Sequence, residues 1–277
     1  MVRLSPPMSS GTSSSNTATS DKKALKTSIP LYRPGQWVDL FLPGLNKPGG
    51  FTITSSPPIS PTSLSASHLE LTIQKSPRNP AAAYLWRPKS EILGEQVGVR
   101  VGGSFVFPPK VATIGNGAIA GKKLKRVIFV AGGVGINPFM SMLSYIRQMK
   151  KDREGGLGFR IVLLYASKNI VEDDGEVLFL NRLRDVFGEL GEEGDIRLFL
   201  TGRDDSMHHD SSYHGEMKIV RRRIHRQDLL DALGTEEGRD GTVCYICGVP
   251  TMTDEFVAFL KEQKGMGEQN VLCERWW

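Results

Sequence analysis

The sequence predicts an antiparallel β-barrel followed by an α/β domain with a five-stranded parallel sheet. Three observations carry this fold class. Between Leu31 and Pro109, short alternating apolar segments are divided by Gly and Pro turns. From Lys125 onward, near-continuous apolar segments alternate with helical stretches, the pattern of a parallel sheet covered on both faces. A Gly-rich turn stands where the first of those strands gives way to a helix.

The barrel elements read in order. Gln36-Trp37-Val38-Asp39-Leu40-Phe41-Leu42 ends at Pro43-Gly44. Phe51-Thr52-Ile53-Thr54 ends at Ser56-Pro57-Pro58. Leu69 to Gln74 alternates strictly, and Val97 to Val101 is β-branched-rich. Ala81 to Trp86 is predicted as a short helix between strands. In the second half, Val127–Val130 precedes a helix through Met149, and Ile161–Tyr165 precedes a helix over 177–187. Ile196–Leu200 precedes a helix over 227–233, Val243–Cys247 one over 253–264, and Val271–Cys273 closes the sheet. The implied organisation is a disordered tail (1–28), a barrel domain (29–110), a linker (111–124) and an α/β domain (125–277).

The 277 residues are 39% hydrophobic and 23% charged, which excludes wholesale disorder, collagen and a disulfide scaffold. Of the five net positive charges, three fall before residue 28, leaving the body too weakly basic for a nucleic-acid surface. Residues 9–20 hold nine Ser or Thr and no large apolar side chain, so they bury too little to offset their ordering entropy. The tail is basic, Ser-rich and acid-poor, as transit peptides are, but it lacks their apolar helix face; a plain flexible tail is the preferred reading. No stretch spans a membrane, since Val127–Leu143 is broken by three glycines and Pro138. Three cysteines, two of them on one strand, fit a reducing, intracellular compartment.

Gly132-Gly133-Val134-Gly135-Ile136-Asn137-Pro138 lies between the first parallel strand and its helix. Such glycines permit a sharp turn and close approach of a ligand to backbone N–H groups. Asn137 is placed as the N-cap and Pro138 as the first helical residue, so the helix start faces a pyrophosphate. Cys247-Gly248-Val249-Pro250-Thr251-Met252 occupies the same place after the fourth strand. In open parallel sheets, ligands bind beyond the carboxyl ends of strands where the winding reverses, and these two loops flank that point. Cys244 and Cys247 form a C-x₂-C pair, but a spacing of three on a strand turns them to opposite faces, which excludes zinc and a redox disulfide there. His208-His209-Asp210 and His214 lack regular ligand spacing, and no metal site is assigned.

These two loops, with the closing Cys273-Glu274-Arg275-Trp276-Trp277, resemble the ferredoxin–NADP⁺ reductase superfamily. Arg33-Pro34-Gly35-Gln36-Trp37-Val38-Asp39, Gly49-Gly50-Phe51-Thr52-Ile53 and Val99-Arg100-Val101-Gly102-Gly103 bring the likeness closest to the oxidoreductase NAD-binding domain-containing proteins. The resemblance runs from about Tyr32 to Trp277 and implies a flavin-binding barrel followed by a nicotinamide-dinucleotide domain. The implied flavin site is Phe51, Thr52, Ile53 and Thr54 with the phosphate loop Gly102-Gly103-Ser104-Phe105. Gly49 stands where relatives carry an arginine for the flavin phosphate, so FAD binding is expected to be weakened. The implied dinucleotide site is Gly132–Pro138 with Cys247, Gly248, Pro250 and Met252. Cys247 would lie by the nicotinamide, Thr52 by a ring nitrogen and Glu274 by the flavin. Arg223 falls in an element near the dinucleotide, and Trp276 and Trp277 either shield the ring or close the core.

Relatives have two strands before the Pro-Gly-Gln-Trp segment. Only Ala24–Ile29 is available for one of them here, so an open barrel edge is expected, as from a truncated or mis-spliced chain. The reading is a flavin-dependent enzyme passing a hydride from NAD(P)H to FAD, with electrons going on to an unassigned acceptor. NADH is favoured, because Glu172, Asp173 and Asp174 follow Ser167 and Lys168 after the second parallel strand. No cysteine cluster for an iron–sulfur centre is present. The resemblance also implies a mitochondrial location, with the cytoplasm as the alternative. The rival reading is a non-catalytic NAD(P)-binding interaction or assembly factor with a decayed flavin site.

Overall fold

The computed structural model describes residues 1–5, 29–58, 68–109, 112–113, 118–119, 122–168, 177–202, 211–214 and 217–276. At 112–113, 118–119, 122 and 211–214 the description is of backbone alone. Residues 6–28, which hold most of the predicted tail and the transit-like segment, lie outside it, as does Trp277.

The first half contains β1 (Val2–Leu4), β2 (Trp37–Phe41), β3 (Gly49–Thr52), β4 (Leu69–Leu71), helices α1 (Pro80–Leu85) and α2 (Lys89–Ile92), and β5 (Gly98–Gly102). Strands β3, β2 and β5 form one antiparallel ladder and β1 and β4 another; an Ile53–Leu71 bridge joins them. Val38, Leu40, Ile53, Leu69, Leu71, Ala81 and Ala82 fill the space they enclose. Helix α1 starts where Asn79 turns its side-chain oxygen onto the Ala81 and Ala82 N–H groups, with Pro80 at the first helical position.

Val2–Leu4 corrects the sequence reading, which placed these residues in the tail. Val2 pairs with Leu71 and Leu4 with Leu69, while Arg3 reaches the carboxylate of Glu70 at 4.0 Å. The apolar–charged–apolar triplet has the period of a strand, and β4 supplies its partner.

Three short strands, β6 (Ala112–Thr113), β7 (Ala118–Ile119) and β8 (Lys122–Lys123), form a small meander in the predicted linker. The second half runs β9 (Arg126–Gly132), α3 (Asn137–Lys151), β10 (Arg160–Lys168), α4 (Leu180–Leu190), β11 (Gly194–Thr201), β12 (Ser211–His214), β13 (Met217–Val220), α5 (Arg226–Leu233), β14 (Thr242–Cys247), α6 (Pro250–Lys261) and β15 (Val271–Glu274). The sheet order is β12-β13-β11-β10-β9-β14-β15. Six of its strands are parallel and β12 is antiparallel at the edge. The expected five-stranded sheet thus gains β13. Met217 and Ile219 are buried on either side of Lys218, a pattern short enough to be hidden between a polar loop and an arginine run. His214, grouped with a polar loop in the sequence, lies on β12, and His208–Asp210 fall outside the described residues. No described helix is long and apolar enough to cross a membrane.

Each central strand is apolar on both faces because both are covered. Val127, Phe129 and Ala131 face α3 and α4, whereas Ile128 and Val130 face α5 and α6. Strand alternation places Cys247 in the first layer and Cys244 in the second, as their spacing requires. The barrel is built into the first layer. Phe105 packs edge-on to Tyr245 at 5.3 Å, and the Tyr245 hydroxyl donates to the Val106 carbonyl at 3.0 Å. Burying an aromatic ring such as Phe105 or Phe107 contributes about 1.5–3 kcal/mol. Polar bonds join the two halves as well. Asn137 Nδ2 donates to the Thr72 carbonyl, Ser141 to the Ser55 carbonyl, and Arg182 pairs with Glu70.

Candidate functional site

Strand β9 has β10 on one side and β14 on the other, so the winding reverses between β9 and β14. The two loops beyond their carboxyl ends meet there. Gly133 has φ +55° with nothing near its open side, and Gly133 and Val134 form an exposed tip. Gly135 and Ile136 turn inward and are buried. A Cβ on Gly135 would stand 2.1 Å from the Cys247 carbonyl oxygen and 2.5 Å from its carbon. A Cβ on Gly132 or Gly248 would press on the Met252 side chain, at 3.1 and 2.3 Å. These glycines bring the two loops into backbone contact. Gly135→Ala is expected to destabilise the chain by about 1–3 kcal/mol, because the obstacle is rigid main chain rather than a movable side chain. Denaturant titration checks this, and a variant as stable as the parent contradicts the contact.

The start of α3 differs from expectation. Ile136 occupies the cap position without a side-chain bond, Asn137 is the first helical residue and Pro138 the second. The Asn137 amide does not cap, because it is turned to the Thr72 carbonyl of the barrel at 2.9 Å. Helix α6 begins at Pro250, and Val249 at its cap position makes no side-chain bond either. Uncapped helix starts leave N–H groups and a positive dipole end at the crevice, which suits a pyrophosphate.

Strand β15 lies beside β14 with Cys247 opposite Glu274. Both side chains are buried, and among the described residues the Glu274 Oε2 has no hydrogen-bond partner. Burial pushes the Glu274 carboxyl up to about 7, against a hydrogen bond from Trp276 that pulls it down. Burial, reinforced by the Glu274 charge, pushes the Cys247 thiol well above the usual thiol range. Cys247 therefore stays a neutral thiol at ordinary pH. The chain then carries Trp276 onto the barrel, where its ring lies 3.1 Å from a Cβ built on Gly50 and edge-on to Trp37 at 6.0 Å.

The strand Phe51–Thr54 is placed differently from the flavin reading. Gly49 points into the barrel, where a Cβ would meet the Ala81 Cβ at 2.4 Å and the Phe51 ring at 2.6 Å. Phe51 packs against the same interior, and Ile53 is fully buried in it. Thr54 is fully buried and donates to the Glu70 side chain at 3.0 Å. The outward positions are Gly50, under Trp276, and Thr52, paired in register with Trp37. In the predicted phosphate loop, Gly103 has φ +98°, and Trp37 lies within 2.9 Å of a Cβ built on Gly102 or Gly103. Ser104 is exposed, and Phe105 belongs to the core between the two halves. The indoles of Trp37 and Trp276 thus meet edge-on beside Gly50, and Thr52 is buried next to Trp37. A phosphate does not fit beside Gly49, where Ala81 fills the space.

Toward the other end of the sheet edge, Ser167 is buried, its carbonyl accepts from Thr201 Oγ1, and Lys168 is exposed. Glu172–Asp174 lie outside the described residues. Arg222 is paired with Asp228 and stacks on Phe199, while Arg221 and Arg223 are exposed beyond β13. Among the described residues, no group of three His, Cys, Asp or Glu side chains is placed to hold a metal. Trp37 and Gly50 lie in motifs that carry the family resemblance but were given no role of their own, and Thr72 and Asn79 were not singled out from sequence. Trp37 carried a further signal, as a large aromatic opening the strand Trp37–Phe41.

No protein-family model matches the chain. The chain is 32% identical over 252 residues to human oxidoreductase NAD-binding domain-containing protein 1, covering 89% of this chain and 71% of that protein. Its fold is similar to the CS-b5R domains of human Ncb5or, solved in an NAD⁺ form, with a TM-score of 0.60 and 17% identity over 89% of this chain and 61% of that one. It is also similar to ferredoxin–NADP⁺ reductase from Plasmodium falciparum, solved with 2′P-AMP through an H286L mutant, with a TM-score of 0.55 and 17% identity over 89% and 84% of the two chains. These structural likenesses speak of fold, a barrel followed by a parallel sheet. With the sequence likeness they place the protein in the family of oxidoreductase NAD-binding domain-containing proteins, on a ferredoxin–NADP⁺ reductase-like fold.

Proposed function

We propose that this protein is an NAD(P)H-dependent oxidoreductase that binds the dinucleotide across the carboxyl edge of β9 and β14 and uses FAD against the outward face of β2 and β3. One observation carries the reading. A single strand, β15, sets Glu274 beside Cys247 and then lays Trp276 over Gly50 and Trp37. The sheet edge and the barrel face thereby become two walls of one site. A flavin held between these walls would supply the hydride-accepting and electron-transferring chemistry.

The chain's own residues orient, shield and hold a proton. Gly132, Gly133 and Gly248 let a pyrophosphate reach backbone N–H groups at the starts of α3 and α6. Trp37 and Trp276 offer flat apolar surfaces that exclude water. Thr52 supplies a hydroxyl to the ring edge. Glu274 is protonated below about pH 7 and carries a proton at the wall of the site. Cys247 is a small neutral contact. NADH is the proposed dinucleotide, on the acidic run Glu172–Asp174 after β10.

A second reading, a non-catalytic NAD(P)-binding interaction or assembly factor, is favoured by one observation: Gly49, which stands where the resemblance expects an arginine for the flavin phosphate, faces Ala81 inside the barrel. One experiment separates them. The purified protein is incubated with FAD, passed over a desalting column and scanned in the visible range, then titrated with NADH and NADPH. Retained flavin that is bleached by NADH supports the enzyme. Nucleotide binding without retained flavin selects the second reading. Tighter NADPH than NADH binding overturns the cofactor preference and points to Arg221 and Arg223.

A further inference from the structure

We infer that the amino edge of the parallel sheet holds an anion site, at which Arg126 and Arg160, with Arg239 beside Arg126, bind a doubly charged phosphoryl group. The inference stands apart from the proposed function. Arg126 opens β9, Arg160 opens β10, and the two are direct partners in the ladder. Neighbouring strands lie about 4.8 Å apart. Ile128 and Val162, two residues further on, are both buried in the layer that faces α5 and α6, so strand alternation turns both arginines to that side. Two cations therefore stand side by side where like charges repel. Burial first, and then the Arg160 charge, pull the Arg126 guanidinium below its ordinary range.

No described acid offsets this charge. Neither Arg126 nor Arg160 has a carboxylate partner among the described residues. Arg126 donates to the Leu233 carbonyl at the end of α5. Gly234 follows with φ +70°, and a Cβ there would stand 2.6 Å from the Arg126 Nη1, so only glycine leaves the guanidinium its place. Arg239 is 9% exposed and donates to the Gly234 carbonyl at 3.0 and 3.2 Å and to the Lys264 carbonyl at 3.4 Å. The carboxylate of Glu236, close enough to feel Arg239, is already paired with Lys264 at 2.9 Å. A helix C-terminus supplies about half a negative charge. It accounts for the placing of Arg126 and Arg239, yet it leaves most of their charge uncompensated and gives Arg160 nothing. Arg160 is exposed, so the pair is open to an ion from solvent.

The chemistry of the group narrows the ligand. Guanidinium presents donors only, in a planar fork that matches two oxygens of a phosphate. A singly charged carboxylate neutralises one of the paired arginines, whereas a phosphoryl dianion neutralises both. The place also separates this site from the dinucleotide crevice. Gly132, at the carboxyl edge, is the last residue of β9 and Arg126 the first, a span of about 20 Å.

The test uses the full chain in a phosphate-free buffer, with Arg160→Gln and, as a remote control, the exposed barrel residue Arg78→Gln. Arg126 is left in place because it holds the end of α5. Thermal unfolding is followed against inorganic phosphate, methyl phosphate and sodium chloride at matched ionic strength. Phosphate is expected to raise the Tm of wild type saturably, by about 2–5 °C beyond chloride. Arg160→Gln is expected to unfold no earlier than wild type without phosphate, since it removes a like-charge neighbour, and to lose the phosphate response. Arg78→Gln is expected to keep it. Methyl phosphate acting as phosphate does names a phosphorylated small molecule as the ligand; a response to phosphate alone names the free anion. Chloride matching phosphate means screening only and overturns the site. A phosphate response that survives Arg160→Gln belongs elsewhere on the chain and overturns it too, as does an Arg160→Gln variant less stable than wild type in the absence of phosphate.

Discussion

Gly49→Arg is expected to destabilise the barrel strongly and not to tighten FAD binding. A simple alignment with an arginine-containing flavin motif predicts the reverse. The geometry decides between them. Gly49 is on the inward face of β3, where its first added carbon would stand 2.4 Å from Ala81 and 2.6 and 2.9 Å from two atoms of the Phe51 ring. Helix α1 cannot retreat freely, since its first turn is capped by Asn79 and Ala81 and Ala82 are buried. Overpacking of this kind costs about 1–3 kcal/mol, and a guanidinium forced into an apolar interior without a partner adds a few more. A combined loss of about 3 kcal/mol or more is expected. Denaturant titration of wild type, Gly49→Ala and Gly49→Arg measures it, with stability falling in that order. An arginine variant as stable as wild type would show that residue 49 faces outward, and the packing of α1 on β3 would be wrong.

That reversal shows where sequence reading stops. The sheet of the second half is legible because Val127–Val130, Ile161–Tyr165 and Val243–Cys247 are apolar on both faces, and only a parallel sheet covered twice permits that. The loops at Gly132–Gly135 and Gly248 are legible because only glycine fits where Cys247 and Met252 crowd the backbone. β3 is different. Its residues Gly-Gly-Phe-Thr give no apolar alternation to tell inside from outside, so register against β2 and contact with α1 decide the face. Asn137 has the chemistry of a helix cap, and from sequence alone nothing shows that a barrel carbonyl from Thr72 competes for its amide. Phe105 follows a Gly-Gly-Ser turn and reads as part of a loop; only the tertiary arrangement brings Tyr245 and Phe139 around it. β1 and β13 are each too short to assert themselves without a partner strand. Trp276 meets Trp37 across almost the whole chain, a distance no local pattern encodes.

Glu274→Gln is expected to make the protein more stable than wild type above neutral pH, with a difference that disappears in acid. The buried Glu274 carboxyl titrates at about 7 in the folded chain, well above the ordinary value of 4.5. Between those two values the folded state holds a proton that the unfolded state has already released. Stability therefore falls as pH rises through this window, and the whole penalty is present above pH 7. With 1.36 kcal/mol for each unit, the penalty is about 3 kcal/mol. Glutamine keeps the shape and the acceptor for Trp276 but carries no charge to bury, so its stability does not follow this slope. Thermal unfolding of both proteins from pH 4.5 to 8.5 measures the difference. Curves that run parallel across the range would show that Glu274 titrates as an exposed carboxylate does. A proton at the wall between Cys247 and Trp276 would then be lost well below neutrality, and the part assigned to Glu274 in the proposed reaction would fall with it.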